Sequence, residues 1–283
     1  MKSTPIVDAH VHIFPPAMIS RRDQLLQQDS WFQETYGHPK AKMSTIDELI
    51  ARMDTAGVDI SIVVGWPWAS NDLCAEHNTY LAESAARYPD RIKWLGIFNP
   101  AENDAIDEIT RCADLGALGF GELNADGQGF SWLNPKVYQE SLTAIAARGL
   151  TLMVHTSEPV GHVYPGKGLA HPQHILTAIE AVPVLKWILA HWGGGLPFYE
   201  LMPEVRVACA NVAYDSAATS FLYDSAVFRR VVDLVGVEKV LFGSDWPVLS
   251  QAKLIHRIRK AGLSDDELTA VLGGNALRIY GID

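Results

Sequence analysis

Short apolar runs alternate with amphipathic stretches along the whole chain. The apolar runs predict strands at residues 6–7, 59–64, 92–98, 117–122, 150–155, 185–191, 207–214 and 239–245. The amphipathic stretches predict helices that begin near residues 45, 71, 105, 135, 172, 197, 225, 252 and 265. This alternation is typical of a parallel α/β fold. It predicts one domain over residues 1–283, a single (β/α)8 TIM-type barrel, with an open doubly wound sheet as the weaker alternative.

Two histidines stand at the end of the first predicted strand. His10 and His12 follow the apolar pair Ile6-Val7 and are two residues apart. Side chains two residues apart on extended backbone point to the same face, so both imidazoles project together. Imidazole nitrogens are common metal ligands, although an isolated pair of this kind can also be two ordinary hydrogen-bonded histidines.

Four later predicted strands also end in a side chain that can bind a metal: Glu122, His155, His191 and Asp245. The C-terminal ends of barrel strands lie on one face, where active sites of this fold are found. Each of these residues alone is more typical of a hydrogen-bonded core group, but together they predict one site. Histidine and carboxylate ligands without thiolates favour zinc, with manganese or iron(II) possible. The predicted chemistry is attack by metal-activated water, with Asp245 as the proton shuttle.

The motifs around these residues resemble a known family. DAHVHIF, VHTSEP, LAHWGG, FGSDWP and the final LGGNALRIYGI are similar to the amidohydrolase-related branch of the amidohydrolase superfamily, over nearly the full chain. This branch includes pyrone-dicarboxylate lactonase and the aminocarboxymuconate-semialdehyde and resorcylate decarboxylases. The resemblance implies a distorted (β/α)8 barrel and metal ligation by His10, His12, His155 and Asp245. It also implies that His191 either binds a second metal or polarises the substrate and activates water.

The number of metal ions depends on Glu122. The sequence GFGEL around it also resembles the Gly-Glu pair of TatD-type hydrolases, whose glutamate bridges two metals. A glutamate at this strand end can instead hydrogen-bond a ligating histidine. One divalent ion is therefore favoured, and two are possible with Glu122 as the bridge.

The segment after the fifth predicted strand is the main candidate for substrate binding. Residues 156–168 combine Glu158, His162, Tyr164 and Lys167 with glycines and prolines that favour turns. We predict that Lys167 or His162 meets an anionic or carbonyl group of the substrate. The structural alternative is a loop whose polar groups pair with each other.

Tryptophans beside two strand ends are further candidates. Trp66 and Trp68 follow the second predicted strand, and Trp192 follows the sixth. Aromatic side chains at these positions can wall a pocket for a planar substrate, or they can pack the rim of the barrel. Trp66 and Trp192 are the two for which we predict substrate contacts.

Residues 13–43 are predicted to be a long polar connection that contains the apolar pair Trp31-Phe32. A connection of this length within a compact domain is usually functional, and apolar side chains on it favour a lid or a subunit contact. Packing over the barrel rim is the alternative.

Composition excludes several classes of protein. The net charge of −10 and the pI of about 5.4 argue against binding to nucleic acid or to an anionic membrane surface.

The three cysteines, Cys74, Cys112 and Cys209, are far apart in the chain. We therefore predict that each is a small buried apolar residue, the first two in helices and the third in a strand. The absence of a signal peptide or membrane-spanning run predicts a cytoplasmic location. A small-molecule substrate is the predicted partner, and a homo-oligomer is possible.

Two reactions fit the predicted site. The first expectation is a metal-dependent hydrolase of a small carbonyl substrate, a lactone, ester or amide. The alternative is non-oxidative decarboxylation of an aromatic or unsaturated carboxylic acid, in which Asp245 or His191 would protonate the carbon that loses CO₂. The resemblance includes both kinds of enzyme, and the usually greater length of the decarboxylases favours hydrolysis. A catalytically silent barrel is a third hypothesis, against which the intact ligand set argues.

Overall fold

The strands form one parallel barrel at the centre of the molecule. The computed structural model describes residues 4–283, and within this range eight strands follow one another along the chain. They are β1 (Val7–Val11), β2 (Ile60–Val64), β3 (Ile92–Leu95), β4 (Gly119–Leu123), β5 (Thr151–Val154), β6 (Lys186–Leu189), β7 (Val212–Asp215) and β8 (Val240–Leu241). All their neighbouring pairs run parallel.

Helices alternate with the strands and surround them. They are α1 (Pro16–Ser20), α2 (Arg22–Gln28), α3 (Ser30–Tyr36), α4 (Ile46–Ala56), α5 (Asn71–Arg87), α6 (Ala105–Asp114), α7 (Ala125–Gln128), α8 (Pro135–Ala147), α9 (Pro172–Ala181), α10 (Ala190–Gly193), α11 (Leu196–Tyr199), α12 (Pro203–Ala208), α13 (Thr219–Leu222), α14 (Val227–Val235), α15 (Gln251–Arg259), α16 (Asp265–Thr269) and α17 (Asn275–Tyr280). Short 3₁₀ segments span Cys209–Asn211 and Val237–Lys239, and a π-helical turn spans Ala270–Gly274. The amphipathic pattern predicts nine of these helices, and the other eight were not predicted: α1, α2, α3, α7, α10, α12, α13 and α17.

Backbone hydrogen bonds close the sheet into a barrel. Strands β1–β3 and β4–β8 form two continuous sheets. At the seam between β3 and β4, the amide of Leu118 donates to the Trp94 carbonyl at 3.0 Å, and that of Gly121 donates to Gly96 at 2.7 Å. At the other seam, the amide of Ala9 donates to the Phe242 carbonyl at 2.8 Å. The predicted (β/α)8 barrel is therefore what the chain forms, and the open-sheet alternative is wrong.

Local sequence explains where α4 begins and ends. The Thr45 hydroxyl accepts from the Glu48 amide, while the Glu48 carboxylate accepts from the Thr45 amide, which is a capping box. Gly57 ends the helix with a φ of 71°, a left-handed conformation that costs glycine little. Both features had been predicted from the sequence.

The connection after β1 differs from the prediction, because it contains the three helices α1–α3. Asp29 caps α3 by accepting from the Phe32 amide at 2.7 Å. The aromatic residues of α3 are buried: Tyr36 lies 4.8 Å from the Phe32 ring and 4.9 Å from that of Trp66. Burial of these apolar side chains against the barrel rim agrees with the packing alternative for this segment.

The seventh strand begins later than predicted. Residues 207–211 lie in α12 and the 3₁₀ turn, so Cys209 is helical rather than in a strand. Pro203 favours the first turn of a helix, and this helix buries Val205 while it leaves Val207 77% exposed. Cys74 and Cys112 lie in helices as predicted, and all three cysteines are buried. Within residues 4–283, none of the helices combines the length and the apolar character needed to cross a membrane.

Candidate metal centre

Six predicted ligands converge at the C-terminal end of the barrel. His10 lies in β1 and Glu122 in β4, while His12 and His155 directly follow β1 and β5. His191 lies in α10, which directly follows β6, and Asp245 lies in the segment after β8. All except His155 are at least nine-tenths buried. The predicted set is therefore brought together as one cluster.

One group of donor atoms is formed by His10, His12 and Glu122. Nε2 of His10 lies 3.1 Å from Nε2 of His12 and 3.5 Å from Oε2 of Glu122. The His12 Nε2 is 3.7 Å from the same oxygen. Ligand atoms that share one ion at about 2.0–2.2 Å are separated by about 2.9–3.5 Å. Two of the three spacings lie within this range and the third lies slightly beyond it, so the three atoms are close to the arrangement that a divalent ion needs.

A second group shares the same glutamate through its other oxygen. Oε1 of Glu122 lies 3.0 Å from Nδ1 of His155 and 3.1 Å from Nε2 of His191. These two nitrogens are 3.2 Å apart. Each group alone has the composition and spacing of a metal site. Glu122 therefore stands between two possible ion positions.

Asp245 borders the first group. Its Oδ1 lies 3.5 Å from Nε2 of His12 and 3.9 Å from Nε2 of His10. Its amide donates to the His10 carbonyl at 2.9 Å, which links the segment after β8 to β1. The carboxylate thus faces the ligand cluster from the seam of the barrel.

Two site residues adopt an unusual backbone conformation. His191 and Asp245 have φ values of 57° and 59°, in the left-handed region that L-residues rarely occupy. Such conformations cost about 1–3 kcal/mol and persist where the surroundings impose them, frequently at functional sites. The chain directs these two side chains into the site at the expense of local backbone preference.

A glycine allows β4 to place Glu122. Gly121 has a φ of 130°, and a Cβ atom there would lie 2.3 Å from the Met153 carbonyl oxygen of β5. Only glycine fits this close approach of two strands. The Gly-Glu pair seen in the sequence therefore has a structural reason as well as a chemical one.

Asp215, which the sequence reasoning missed, orients two of the ligands. Its Oδ2 accepts from Nδ1 of His10 at 2.7 Å, and its Oδ1 accepts from the backbone amide of His191 at 3.0 Å. The proton on Nδ1 leaves the lone pair of Nε2 in His10 facing Glu122. Asp215 is the last residue of β7, so the strand-end rule that found the other residues would also have found it.

Replacing Asp215 by asparagine is expected to weaken metal binding by about 10- to 100-fold. Asp215 accepts hydrogen bonds from Nδ1 of His10 and from the backbone amides of His191 and Ala217. The single side-chain oxygen of asparagine cannot accept all three. Titration with Mn²⁺, followed by the electron paramagnetic resonance signal of the free ion, measures the change. Unchanged affinity in a folded Asp215→Asn protein would show that His10 needs no such partner.

The carboxylates hold protons on the histidines around them. Burial lowers the pKa of His191, but the hydrogen bond and the charge of Glu122 more than offset this effect, so the pKa rises to about 9. Burial also lowers the pKa of His10, and Asp215 and Glu122 together raise it well above its usual value. The charged histidines in turn hold the pKa of Glu122 well below normal, against the effect of its burial. A divalent ion at this site competes with these protons, because ligating imidazoles must be neutral.

Burial acts differently on two other members of the cluster. It lowers the pKa of His12 to about 3, with the nearby charge of His10 acting in the same direction. His12 is therefore a neutral imidazole with lone-pair electrons available for an ion. Burial raises the pKa of Asp245, although the charges of His10 and His191 act in the opposite direction.

A cavity of about 540 Å³ ends on this cluster. Aromatic side chains form part of its wall: Trp31, Tyr36 and Trp66. The Trp66 ring lies 6.0 Å from that of His12, and the Trp31 ring lies 6.0 Å from that of His155. The predicted residues His162 and Tyr164 also line the cavity, as do Lys40 and Lys42, which had not been predicted. An apolar cavity with polar groups at its end is a typical small-molecule site.

Three predicted substrate-binding residues lie outside this lining. Trp192 is fully buried, where its indole donates to Thr219 at 2.9 Å and packs against Phe228. Its left-handed backbone turns the ring into the core, so the structure does not support contact with substrate. Glu158 and Lys167 pair with each other, and Lys167 also donates to the Val160 carbonyl of the same loop. These contacts agree with the structural alternative for that loop. Trp68 is likewise buried, and it donates to His77 at 3.1 Å.

Two known proteins match most of the chain, and both are decarboxylases. The 6-methylsalicylic acid decarboxylase of Penicillium expansum is 25% identical over 279 residues, which cover 85% of this chain and 84% of that protein. The 2-amino-3-carboxymuconate-6-semialdehyde decarboxylase of Dictyostelium discoideum is 24% identical over 279 residues, covering 84% and 77%. The expectation of a hydrolase is therefore wrong, and these relatives agree with the decarboxylase alternative.

Solved structures share the fold over nearly the full length. The 5-carboxyvanillate decarboxylase of Sphingomonas paucimobilis superposes with a TM-score of 0.82 at 22% identity, covering 99% of this chain and 100% of that one. That of Novosphingobium aromaticivorans, solved with manganese and 4-hydroxy-3-methoxy-5-nitrobenzoic acid, gives a TM-score of 0.80 at 17% identity, covering 99% and 96%. Likeness at these identities concerns the fold, and it agrees with the predicted barrel.

The family suggested by the sequence motifs is confirmed. A family model described as amidohydrolase matches residues 7–282, a range that includes all six predicted ligands and Asp215. The barrel, the cluster at its C-terminal end and this match agree with one another. The chain belongs to the amidohydrolase family.

Proposed function

We propose that this protein is a metal-dependent decarboxylase that removes CO₂ from an aromatic or unsaturated carboxylic acid without oxidation. The observation that carries the proposal is a cavity walled by Trp31, Tyr36 and Trp66 that ends on the histidine-carboxylate cluster. Flat apolar walls suit a planar ring, and the cluster suits an oxygen-bearing acid group. The two decarboxylases similar in sequence support the same reaction.

The proposed cofactor is a divalent ion, with manganese as the first choice. The ligand set of nitrogen and carboxylate oxygen donors suits manganese as well as the zinc first expected, and a structural neighbour was solved with manganese. A bound ion would polarise the oxygens of the substrate and stabilise the charge that develops on them. The residues proposed to hold it are His10, His12, Glu122, His155, His191 and Asp245.

Asp245 is the proposed proton donor. It lines the cavity beside His12. Its Oδ1 faces the proposed ligand cluster, so its second carboxylate oxygen would hold the proton and deliver it to the substrate. Its proton passes to the carbon that bears the carboxylate. The electron pair of the breaking carbon–carbon bond stays with that carbon, CO₂ leaves, and water returns a proton to Asp245. His191, on the opposite side of Glu122, would orient the substrate's acid group.

The wall of the cavity would hold the ring in place. Trp66, His162 and Tyr164 are the predicted substrate-binding residues that line it, and we propose that they contact the bound acid. Exclusion of water by the aromatic side chains would favour loss of a charged carboxylate as neutral CO₂. The cytoplasmic location, the single domain and a possible homo-oligomer stay predictions.

We further propose that Glu122 separates two ion positions, in place of the single ion first favoured. With Mn²⁺ in excess, the wild-type protein is expected to bind about two equivalents and Glu122→Ala about one or fewer, since both groups of donor atoms contain an oxygen of Glu122. Inductively coupled plasma mass spectrometry after desalting counts the ions, and electron paramagnetic resonance detects magnetic coupling between them. A single, uncoupled equivalent in the wild type would restore the one-ion arrangement.

The proposed reaction is tested directly by release of CO₂. Purified protein loaded with Mn²⁺ would be incubated with a panel of aromatic acids that includes 6-methylsalicylic acid, and the products separated by liquid chromatography. We expect at least one acid to lose CO₂, with chelation by EDTA stopping the reaction and added Mn²⁺ restoring it. Consumption of the substrate without release of CO₂, or release of CO₂ that continues unchanged after chelation by EDTA, would contradict the proposal.

A further inference from the structure

The loop between β5 and α9 directly contacts a proposed metal ligand. Residues 156–171 form this loop and contain no helix or strand. The carbonyl of Gly166 in this loop lies 3.1 Å from Nε2 of His155. Because Nε2–H donates to this carbonyl, the lone pair of His155 resides on Nδ1, which faces Glu122 and His191. The loop therefore presents the acceptor that suits metal binding by His155.

Lys167 holds this loop together from within. Its Nζ donates to the Val160 carbonyl at 2.7 Å and to the His162 carbonyl at 3.0 Å. It also lies 3.5 Å from Oε1 of Glu158, whose Oε2 accepts from the Tyr164 hydroxyl at 3.2 Å. We refer to Glu158, Tyr164 and Lys167 as the loop brace.

The ammonium group of Lys167 has little capacity left for a substrate. Its three N–H bonds are matched by two carbonyls and one carboxylate, and its side chain is only 13% exposed. The Nζ atom also lies 5.6 Å from the centre of the Tyr164 ring. This partly buried cation is thus satisfied by groups of its own loop.

A short turn connects the Lys167 side-chain contacts to the position of Gly166. The amide of Lys167 donates to the Tyr164 carbonyl at 3.1 Å, so the turn places Gly166 beside the anchored lysine. On its other side, the Gly166 amide donates to Oε1 of Glu34 in α3 at 3.2 Å. These bonds hold the carbonyl against His155 although the loop lacks regular secondary structure.

We propose that Lys167 is a positioning residue for the metal ligand His155, acting through the Gly166 carbonyl, and that it does not bind the substrate. This rests on the metal centre of the proposed function. Without the brace the loop gains conformational freedom, and His155 can carry its proton on Nδ1, where it blocks metal binding. The brace therefore maintains the imidazole in the form that binds metal.

The test compares Mn²⁺ affinity across a set of variants by the resonance signal of free Mn²⁺. Lys167→Met keeps the aliphatic chain and removes the charge, and we expect affinity about tenfold or more weaker. Lys167→Arg can donate to the same carbonyls and is expected to recover most of the loss. The matched control is Lys186→Met, since Lys186 also donates to a loop carbonyl, that of Gly149, but at the start of β6.

The outcomes separate this role from the alternatives. With a substrate from the CO₂ assay, a raised KM for Lys167→Met and unchanged Mn²⁺ affinity would identify a substrate contact and overturn the inference. Equal losses in Lys167→Met and Lys186→Met would reduce the effect to general destabilisation and also overturn it. A wild-type protein that binds no Mn²⁺ would instead overturn the metal centre itself, and the positioning role with it.

A second variant carries the test if Lys167→Met does not fold. Glu158→Gln keeps the shape of the brace and removes its negative charge, so we expect weaker Mn²⁺ binding in the same direction, with a smaller change. Circular dichroism and the midpoint of thermal unfolding establish that each variant is folded before affinity is compared. A folded Glu158→Gln protein with wild-type affinity would contradict the proposed brace.

Discussion

Replacement of His10 and His12 together by alanine is expected to remove at least one equivalent of bound metal and to lower kcat/KM by about a thousandfold or more. The two Nε2 atoms are 3.1 Å apart and face the same carboxylate oxygen of Glu122, so they act as a pair. Without them, one ion position keeps only carboxylate ligands. Loss of several kcal/mol of charge stabilisation in the transition state corresponds to the stated change in rate.

Metal content by mass spectrometry and CO₂ release measure the two effects on the same samples. The matched control is the double variant His171→Ala with His256→Ala, which removes two imidazoles outside the lining of the cavity. We expect the control to retain its metal and its rate. A His10/His12 variant that stays folded, loses its metal and still works at the wild-type rate would show that catalysis does not need the cluster.

Asp245→Asn is expected to lower kcat by about 10²- to 10⁴-fold while most of the metal stays bound. Asparagine has nearly the same size as aspartate, and the backbone bond from residue 245 to the His10 carbonyl does not involve the side chain. The amide cannot deliver the proton that the carbon must receive when CO₂ leaves. The loss should therefore appear in kcat rather than in the affinity for Mn²⁺.

Two further measurements make this result specific. Asp90→Asn changes an exposed aspartate in the turn before β3 and serves as the matched control, with no expected effect on rate. Solvent deuterium incorporation into the product reports whether a proton is still delivered to the carbon. If Asp245→Asn keeps the wild-type kcat with its metal bound, the proton comes from another group, and His191 is the next candidate.

Hydrolysis and decarboxylation were not separable from the ligand residues alone. Both reactions use an ion to polarise oxygens and an acid-base group beside it, and His10, His12, His155, His191 and Asp245 satisfy either one. The relatives that match most of the chain are decarboxylases, and this overturned the preference for hydrolysis. The difference between the reactions lies in which substrate the cavity holds, and this depends on walls supplied by distant segments such as α3.

The sequence by itself determined the barrel, the order of its strands and the six ligand candidates, together with the capping box at Thr45 and the end of α4 at Gly57. These features follow from periodicity and from side chains at strand ends, which are local properties of the chain. Asp215 obeys the same local rule, because it directly follows the seventh strand as predicted at residues 207–214, but it was not recognised as a candidate. The sequence could therefore have specified nearly all of the cluster.

Only the tertiary structure decided which atoms of the site meet. That the two oxygens of Glu122 face different histidine pairs depends on the approach of β1, β4, β5 and β6. The burial of Trp192 and the contact of Gly166 with His155 depend on left-handed residues and on a loop without periodicity. Such contacts join residues far apart in the chain or in irregular segments, so no local pattern of polar and apolar residues records them.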